Sequence, residues 1–158
     1  MTSIVSDIIM AGTPEHDAFV AARDAAYTLD MRKADKITAI NAKLNEVLTG
    51  GYTVQSGAMA GKVLQTRNLK DRTNWLVSQA SYSAAVAEGQ GAVEGAKFRT
   101  ADNATYTLTF ADGRAILLAM AAWGAACMDH SWGLKDAIEA AEDAASLAMI
   151  DIEQGWPA

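Results

Sequence analysis

Alanine stands at 33 of the 158 positions, and it gathers in stretches whose bulkier apolar residues recur every three or four places. Ala is the strongest helix former and, being small, lets helix axes come close together. A chain built this way is constrained to closely packed helices rather than to a large all-β core. The densest stretch is residues 115–128, 14 positions without a charge, six of them Ala. That is shorter than the roughly 18 apolar residues of a membrane span, so no membrane partner is expected. Bulky apolar residues remain numerous enough for the single core that a domain of this length builds, part of which can lie between subunits.

Charge and cysteine remove further classes. Residues 1–79 carry 9 basic against 8 acidic groups and residues 80–158 carry 4 against 11, for a net charge of −6. The acidic half repels phosphate backbones, and the first half has no basic cluster denser than Arg32, Lys33 and Lys36. Nucleic acid is therefore not an expected partner. The single cysteine, Cys127, allows neither an intrachain disulfide nor a four-Cys zinc site and suits a reducing compartment. Residues 1–12 hold Ile4, Val5, Ile8, Ile9 and Met10, but Asp7 interrupts them and no basic residue precedes them, unlike a signal peptide. They read as an N-terminal arm for docking on a partner, because an apolar arm is costly in water unless it orders on something.

Thr13, Pro14 and Glu15 open a helix: Thr caps free amides, Pro suits the first helical position, and Glu15 and Asp17 sit against the positive end. The pattern predicts one long helix over residues 13–50, stopped by Gly50 and Gly51. Near its end Ile37, Ile40, Leu44 and Val47 repeat at spacings of 3, 4 and 3. Such a seam describes a helix lying on its own core, the reading favoured here, or a short intersubunit coil. In the second case these four are the oligomer-interface candidates.

Residues 52–66 read as a small β excursion around Gly57 and Gly61. Asn68 caps a second helix that reaches about Glu88 and stops at Gly89. A hairpin follows, with residues 97–100, a turn at Ala101-Asp102-Asn103, and residues 105–110, in which Tyr106, Leu108 and Phe110 alternate with threonines. Asp112 is the expected cap of a third long helix, whose buried stripe is Met120, Trp123, Cys127, Leu134, Ile138 and Ala141. Ser131 and Gly133 mark a weak point in it. Ser146 is expected to cap a short helix over residues 147–154. The fold class is α+β and helix-dominated: three main helices, a short C-terminal helix and one or two small hairpins. Residues 51–158 form the α+β domain behind the arm and the long helix.

Catalytic chemistry is thin. His16 and His130 are the only histidines, and neither has a second ligand at a metal-binding spacing. Cys127 and His130, at i and i+3, are the one arrangement resembling a thiolate and imidazole pair, and Cys127 reads more simply as a small core residue. No nucleophile elbow, phosphate-binding loop or dinucleotide fingerprint occurs. Asp136, Glu139, Glu142, Asp143, Asp151 and Glu153 alternate with Ala as a solvated face does. Trp75, Trp123, Trp132 and Trp156 have the chemistry to line a sugar groove, but Trp75 and Trp123 fall on apolar helical rows and Trp156 suits a tail anchor. No catalytic, cofactor-binding or metal-ligating residue is assigned, no cofactor is expected, and the chain is not expected to be an enzyme.

Several short motifs occur in a definite order: residues 36–48 leading to a Gly-rich turn; Gln65-Thr66-Arg67, Asp71 and Asn74-Trp75-Leu76; Phe98-Arg99-Thr100-Ala101-Asp102-Asn103; Trp132-Gly133-Leu134-Lys135-Asp136-Ala137-Ile138; and Asp151-Ile152-Glu153-Gln154-Gly155-Trp156-Pro157. Over residues 33–157 the chain thereby resembles an uncharacterised domain common in tailed-phage and prophage genomes, often in or beside tail-fibre proteins. The resemblance implies a virion component of the tail, without enzymatic activity, made in the host bacterial cytoplasm. Longer relatives carry the domain within a fibre chain. Here little precedes it, which favours a tail-fibre or baseplate attachment role over receptor binding. The expected partners are other tail or baseplate proteins and further copies of the chain, a trimer among the arrangements a fibre would use. The alternative is a fibre-assembly chaperone that does not stay in the virion. The motif residues also have structural uses: Arg67 and Asp71 can pair at i and i+4, and Asn74 can satisfy loop backbone groups.

Overall fold

A computed structural model of the chain describes residues 12–158, apart from the side chains of residues 23–26. The arm candidates Ile4, Val5, Ile8, Ile9 and Met10 lie outside the described residues.

The long first helix is two helices, α1 (Pro14–Ala26) and α2 (Leu29–Gly50). The break follows from local chemistry at Tyr27 and Thr28. Thr28 takes an extended backbone (φ −65°, ψ 163°), and its side chain accepts from the Met31 amide, which caps α2. Arg32 then reaches back one turn, its Nε donating to the Tyr27 carbonyl at 3.1 Å and its guanidinium lying 4.8 Å from the Tyr27 ring centroid. An N-cap signal buried inside a helical pattern thus outweighs the continuity of the pattern. At the start of α1, Thr13 Oγ1 accepts from the His16 amide as the sequence implies.

Two antiparallel hairpins and three more helices follow. Strands β1 (Tyr52–Thr53) and β2 (Val63–Leu64) pair Tyr52 with Leu64 around a 3-10 turn at Gly57–Met59. Helix α3 (Leu69–Ala87) is capped by Asn68, whose side chain accepts from the Asp71 amide. Strands β3 (Glu94–Arg99) and β4 (Thr105–Thr109) pair Phe98 with Tyr106 and Ala96 with Leu108. Helix α4 (Phe110–Ala140) is the spine of the molecule, and α5 (Ala144–Ala148) is a single short turn.

Three local expectations need correction. Phe110 begins α4 instead of ending the strand, because Thr109 is the cap: its hydroxyl accepts from the Asp112 amide at 3.1 Å and donates to the Asp112 carboxylate at 2.7 Å. Helix α4 runs unbroken through Ser131 and Gly133, since tertiary packing on the buried Ser131 side outweighs a weak local propensity. The C-terminal helix starts earlier and is shorter than expected. Asp143, not Ser146, is its cap, and the two form a capping box in which Ser146 supplies the third position.

The core has two parts strung along α4. Around its N-terminal half, Tyr52, Met59, Leu64, Tyr82, Phe98 and Leu117 form the larger cluster. Phe98 is central, stacked at 5.7 Å on Trp75 and tilted at 6.0 Å against Tyr82. Gly113 admits this packing: a Cβ there would overlap the Ala96 methyl and stand 3.2 Å from the Tyr82 ring. Around the C-terminal half, Ile40 of α2 packs with Ile138, Ala141 and Leu147, and Ile37 leans on the same cluster. The seam on α2 is therefore turned inward. Ile40 is fully buried within the chain, and Leu44 and Val47 are half-buried, so the stripe offered as an oligomer interface is largely consumed by the chain's own core.

Helix α2 is riveted to the end of the chain by three lysines. Lys33 Nζ donates to the Glu139 carbonyl at 2.8 Å and Lys36 Nζ to the Leu147 carbonyl at 2.6 Å, placing cations at the negative ends of α4 and α5. Lys43 pairs with Glu153 at 2.9 Å, and that contact, with Glu46, raises its pKa. The last residues lie back along α4. His130 Nε2 is 3.1 Å from the Gln154 carbonyl, and since a carbonyl only accepts, Nε2 carries the proton. Gly155 (φ 84°) passes so close to that imidazole that a Cβ would stand 2.8 Å from its Cε1. Trp123 Nε1 donates to the Pro157 carbonyl, and Trp156 sits edge-on to His130 at 4.8 Å, the anchor the sequence implies.

A single ion pair joins the two hairpins. Lys62 Nζ meets Asp102 Oδ2 at 2.8 Å, while Thr100 and the Ala104 amide donate to the other carboxylate oxygen. Lys62 foremost, then Thr100, hold the Asp102 carboxyl far below its ordinary 3.8. A carboxyl depressed in the folded state contributes stability above its unfolded pKa and loses it as pH falls through the folded value. The turn is thus expected to keep its contacts at about pH 4 and to loosen only in stronger acid. An NMR titration of Asp102 checks this, with the midpoint moving back up in Lys62→Ala; an ordinary midpoint in the wild-type chain would refute it.

Candidate functional site: an apolar groove on the central helix

The residues that chemistry singled out are placed in structural roles. Cys127 is fully buried, and burial raises its thiol pKa, the reverse of an activated thiolate. His130 is engaged by the C-terminal residues, as described above. His16 sits at the start of α1, 3.5 Å from Asp17. Among the described residues no group of three or more His, Cys, Asp or Glu is arranged to hold a metal. The carboxylates Asp136, Glu139, Glu142 and Asp151 are all exposed, while Asp143 caps α5 and Glu153 pairs with Lys43.

Several motif stretches do come together. Gln65, Asp71, Asn74, Trp75 and Arg99 line a polar depression of about 180 Å³. Its charges are already employed: Arg67 Nε donates to Asp71 at 3.1 Å, the i to i+4 pair expected from spacing, and Arg99 donates to the Thr105 hydroxyl at 3.0 Å. The depression ties the loop after β2 to α3 and the second hairpin.

The larger opening lies on the other side of Trp75. Helices α2 and α3 both run antiparallel to α4: Lys33 reaches Glu139 while Leu48 lies beside Met120 and Trp123, and Tyr82 abuts Gly113 while Arg72 lies beside Gly124. The end of α2 and the start of α3 therefore meet halfway along α4, and a groove of about 350 Å³ opens at that joint. Its walls include Trp75, Leu76, Leu117, Leu118, Met120 and Trp123. Both indoles have satisfied N–H groups, Trp75 Nε1 donating to the Gln65 carbonyl at 2.8 Å and Trp123 to Pro157. What they turn to the groove is hydrocarbon. Trp75 and Trp123, read as core residues, are half-buried and belong both to the core margin and to this wall.

The groove continues onto an uncovered face of α4. Ala115, Leu118, Ala122, Ala125, Asp129 and Trp132 are all exposed and follow one another at spacings of 3, 4, 3, 4 and 3. Leu118 is 43% exposed and Trp132 53%, and across the groove Leu76 is 68% exposed. By length and composition α4 is also able to cross a membrane, which counting only the uncharged run 115–128 does not register. Its Ile116, Leu117, Cys127 and Ile138 side is instead buried within the fold. Sequence reasoning found Cys127 and Ile138 of that side, missed Leu117 and overlooked the exposed row, although its heptad spacing is equally plain in the letters.

A family profile described as a domain of unknown function, DUF4376, matches residues 31–154. No curated protein and no solved structure matches the chain. The match takes in α2 through the segment that follows α5 and includes the whole of the groove, so the chain belongs to the DUF4376 family of domains of unknown function.

Proposed function

We propose that the chain is a structural protein of a tailed-phage or prophage virion, a tail-fibre or baseplate attachment component that acts by protein–protein assembly in the particle. The observation that carries this reading is the groove with its adjoining face: contiguous apolar surface left open on the central helix of a folded domain. Surfaces of this kind mark interaction sites, because uncovered hydrocarbon is costly in water. Its lining offers contact area and satisfied indoles instead of a nucleophile, an acid–base pair or a phosphate cradle. The resemblance to tail-associated domains, carried by the ordered motifs of residues 33–157, supplies the biological setting.

Mass spectrometry of extensively washed particles from a phage or induced prophage that encodes this chain tests the proposal. The chain is expected in a fixed ratio to the major tail proteins. Its absence from particles would overturn the structural role, and in that case loss of fibres on deleting the gene would assign it to the assembly-chaperone class.

A further inference from the structure

We propose that the groove is filled by Trp132 of a second copy of this chain, the two copies packing α4 against α4, antiparallel, about a two-fold axis at Ala125. The proposal deepens the assembly reading by naming one partner and its contact.

Three features of the exposed face are self-complementary. First, Leu118 and Trp132 lie seven residues before and after Ala125, on one row of the helix, and all three are exposed. An antiparallel pair centred on Ala125 brings the Trp132 of each copy level with the Leu118 of the other, at the mouth of the groove. The volume of about 350 Å³ sits near the low end of the range for ligand pockets and suits one large side chain rather than an extended ligand. The floor is open, since a Cβ at Gly124 would meet nothing within 4 Å.

Second, the charges match in this orientation alone. Arg114 lies eleven residues before Ala125 and Asp136 eleven after it. Antiparallel packing sets each guanidinium near a carboxylate at both ends of the contact, whereas parallel packing sets like beside like. Asp129 lies about 40° around the helix from Ala125 at about 100° per residue, on the same face between Ala125 and Ala122, and stands level with the small Ala121 of the other copy. Third, Ala122 and Ala125 occupy the crossing point, where small residues let helix axes approach to about 8 Å. The contact is isologous and closes on itself, so it stops at a dimer.

Light scattering on the purified full-length chain, run across a wide concentration range, reads the outcome. The wild-type chain is expected at twice its 16.7 kDa mass. Trp132→Ala, at an exposed position whose fold is checked by circular dichroism, is expected to weaken the dimer at least tenfold. Arg114→Asp should do the same, and adding Asp136→Arg to it should restore the dimer. Ala125→Cys in a Cys127→Ser background should crosslink to itself through a short thiol reagent, and Leu118→Cys should not. A wild-type chain that stays monomeric, a trimer, or a dimer indifferent to Trp132→Ala would each overturn the proposal. So would a monomer that binds neutral phosphatidylcholine vesicles with a Trp132-dependent blue shift, which would assign the face to a membrane. None of these readings depends on virion content, so failure here is separable from failure of the proposed function.

Discussion

Ile40→Ala is expected to destabilise the chain by about 2–5 kcal/mol, the usual cost of truncating a fully buried aliphatic residue to Ala. Ile40 has no exposed surface and is held by Ile138, Ala141 and Leu147, with Ile37, Leu134 and Trp156 packed around them. That cluster joins α2 to the end of α4 and to α5, which is anchored besides by Lys33 and Lys36. Little can collapse into the space, so the cavity component of the cost stays high. Total stability of a domain is about 5–15 kcal/mol, so the loss is a large share of it. Urea denaturation at two protein concentrations measures it. The difference from the wild-type chain should be the same at both, because the side chain is buried within one copy. A difference that is near zero at low concentration and grows at high concentration would return Ile40, with Ile37, Leu44 and Val47, to an intersubunit seam.

Gly113→Val is expected to cost about 1–3 kcal/mol or more, the range of overpacked cores, even though it replaces a poor helix former. The glycine lies in the first turn of α4 and is buried against β3. A Cβ there would overlap Ala96 and press on Tyr82 and Phe98, the last 3.3 Å away, and none of these is the free end of a flexible side chain. Relief would require α4 to lift off the hairpin, opening the larger cluster. Gly113→Ala should show the same sign with a smaller size. Gly133→Ala is the control: it lies in the same helix, exposed, with nothing within 4 Å of its Cβ position, and should stabilise by up to about 1 kcal/mol. Thermal or urea melts of the three variants decide the matter. If Gly113→Ala melts above the wild-type chain, the close approach of α4 to β3 is not what requires the glycine.

Elements whose information is local were legible in advance. The Asn68 cap of α3, the alternation of β4 and the inward row of α4 appear where the periodicity puts them, with Cys127 and Ile138 buried and Met120, Trp123 and Leu134 half-buried. The misreadings occur where two local signals compete. Thr28 is both a tolerable mid-helix residue and a good cap, and only the Arg32 contact with Tyr27 shows which use prevails. Asp143 and Ser146 are both capping residues three apart, and their reciprocal hydrogen bonds assign the cap to Asp143. Ser131 and Gly133 lower helix propensity by a small amount that burial on α4 outweighs.

The candidate site was the least legible part, for a reason of geometry. Its residues come from the end of α2, the first half of α3 and the middle of α4, and nothing in their sequence positions says that these three segments meet. An apolar residue on a helical row reads as core whether or not a neighbour arrives to cover it. The alanine enrichment by itself determined that this chain is a set of long helices able to pack closely, because propensity and side-chain size act residue by residue. Which sides of those helices are covered was decided only by the tertiary structure. Helices α2 and α3 are laid end to end along one side of α4, so the Ala-rich row with Leu118 and Trp132 stays open, and burial is a property of neighbours that no single segment contains.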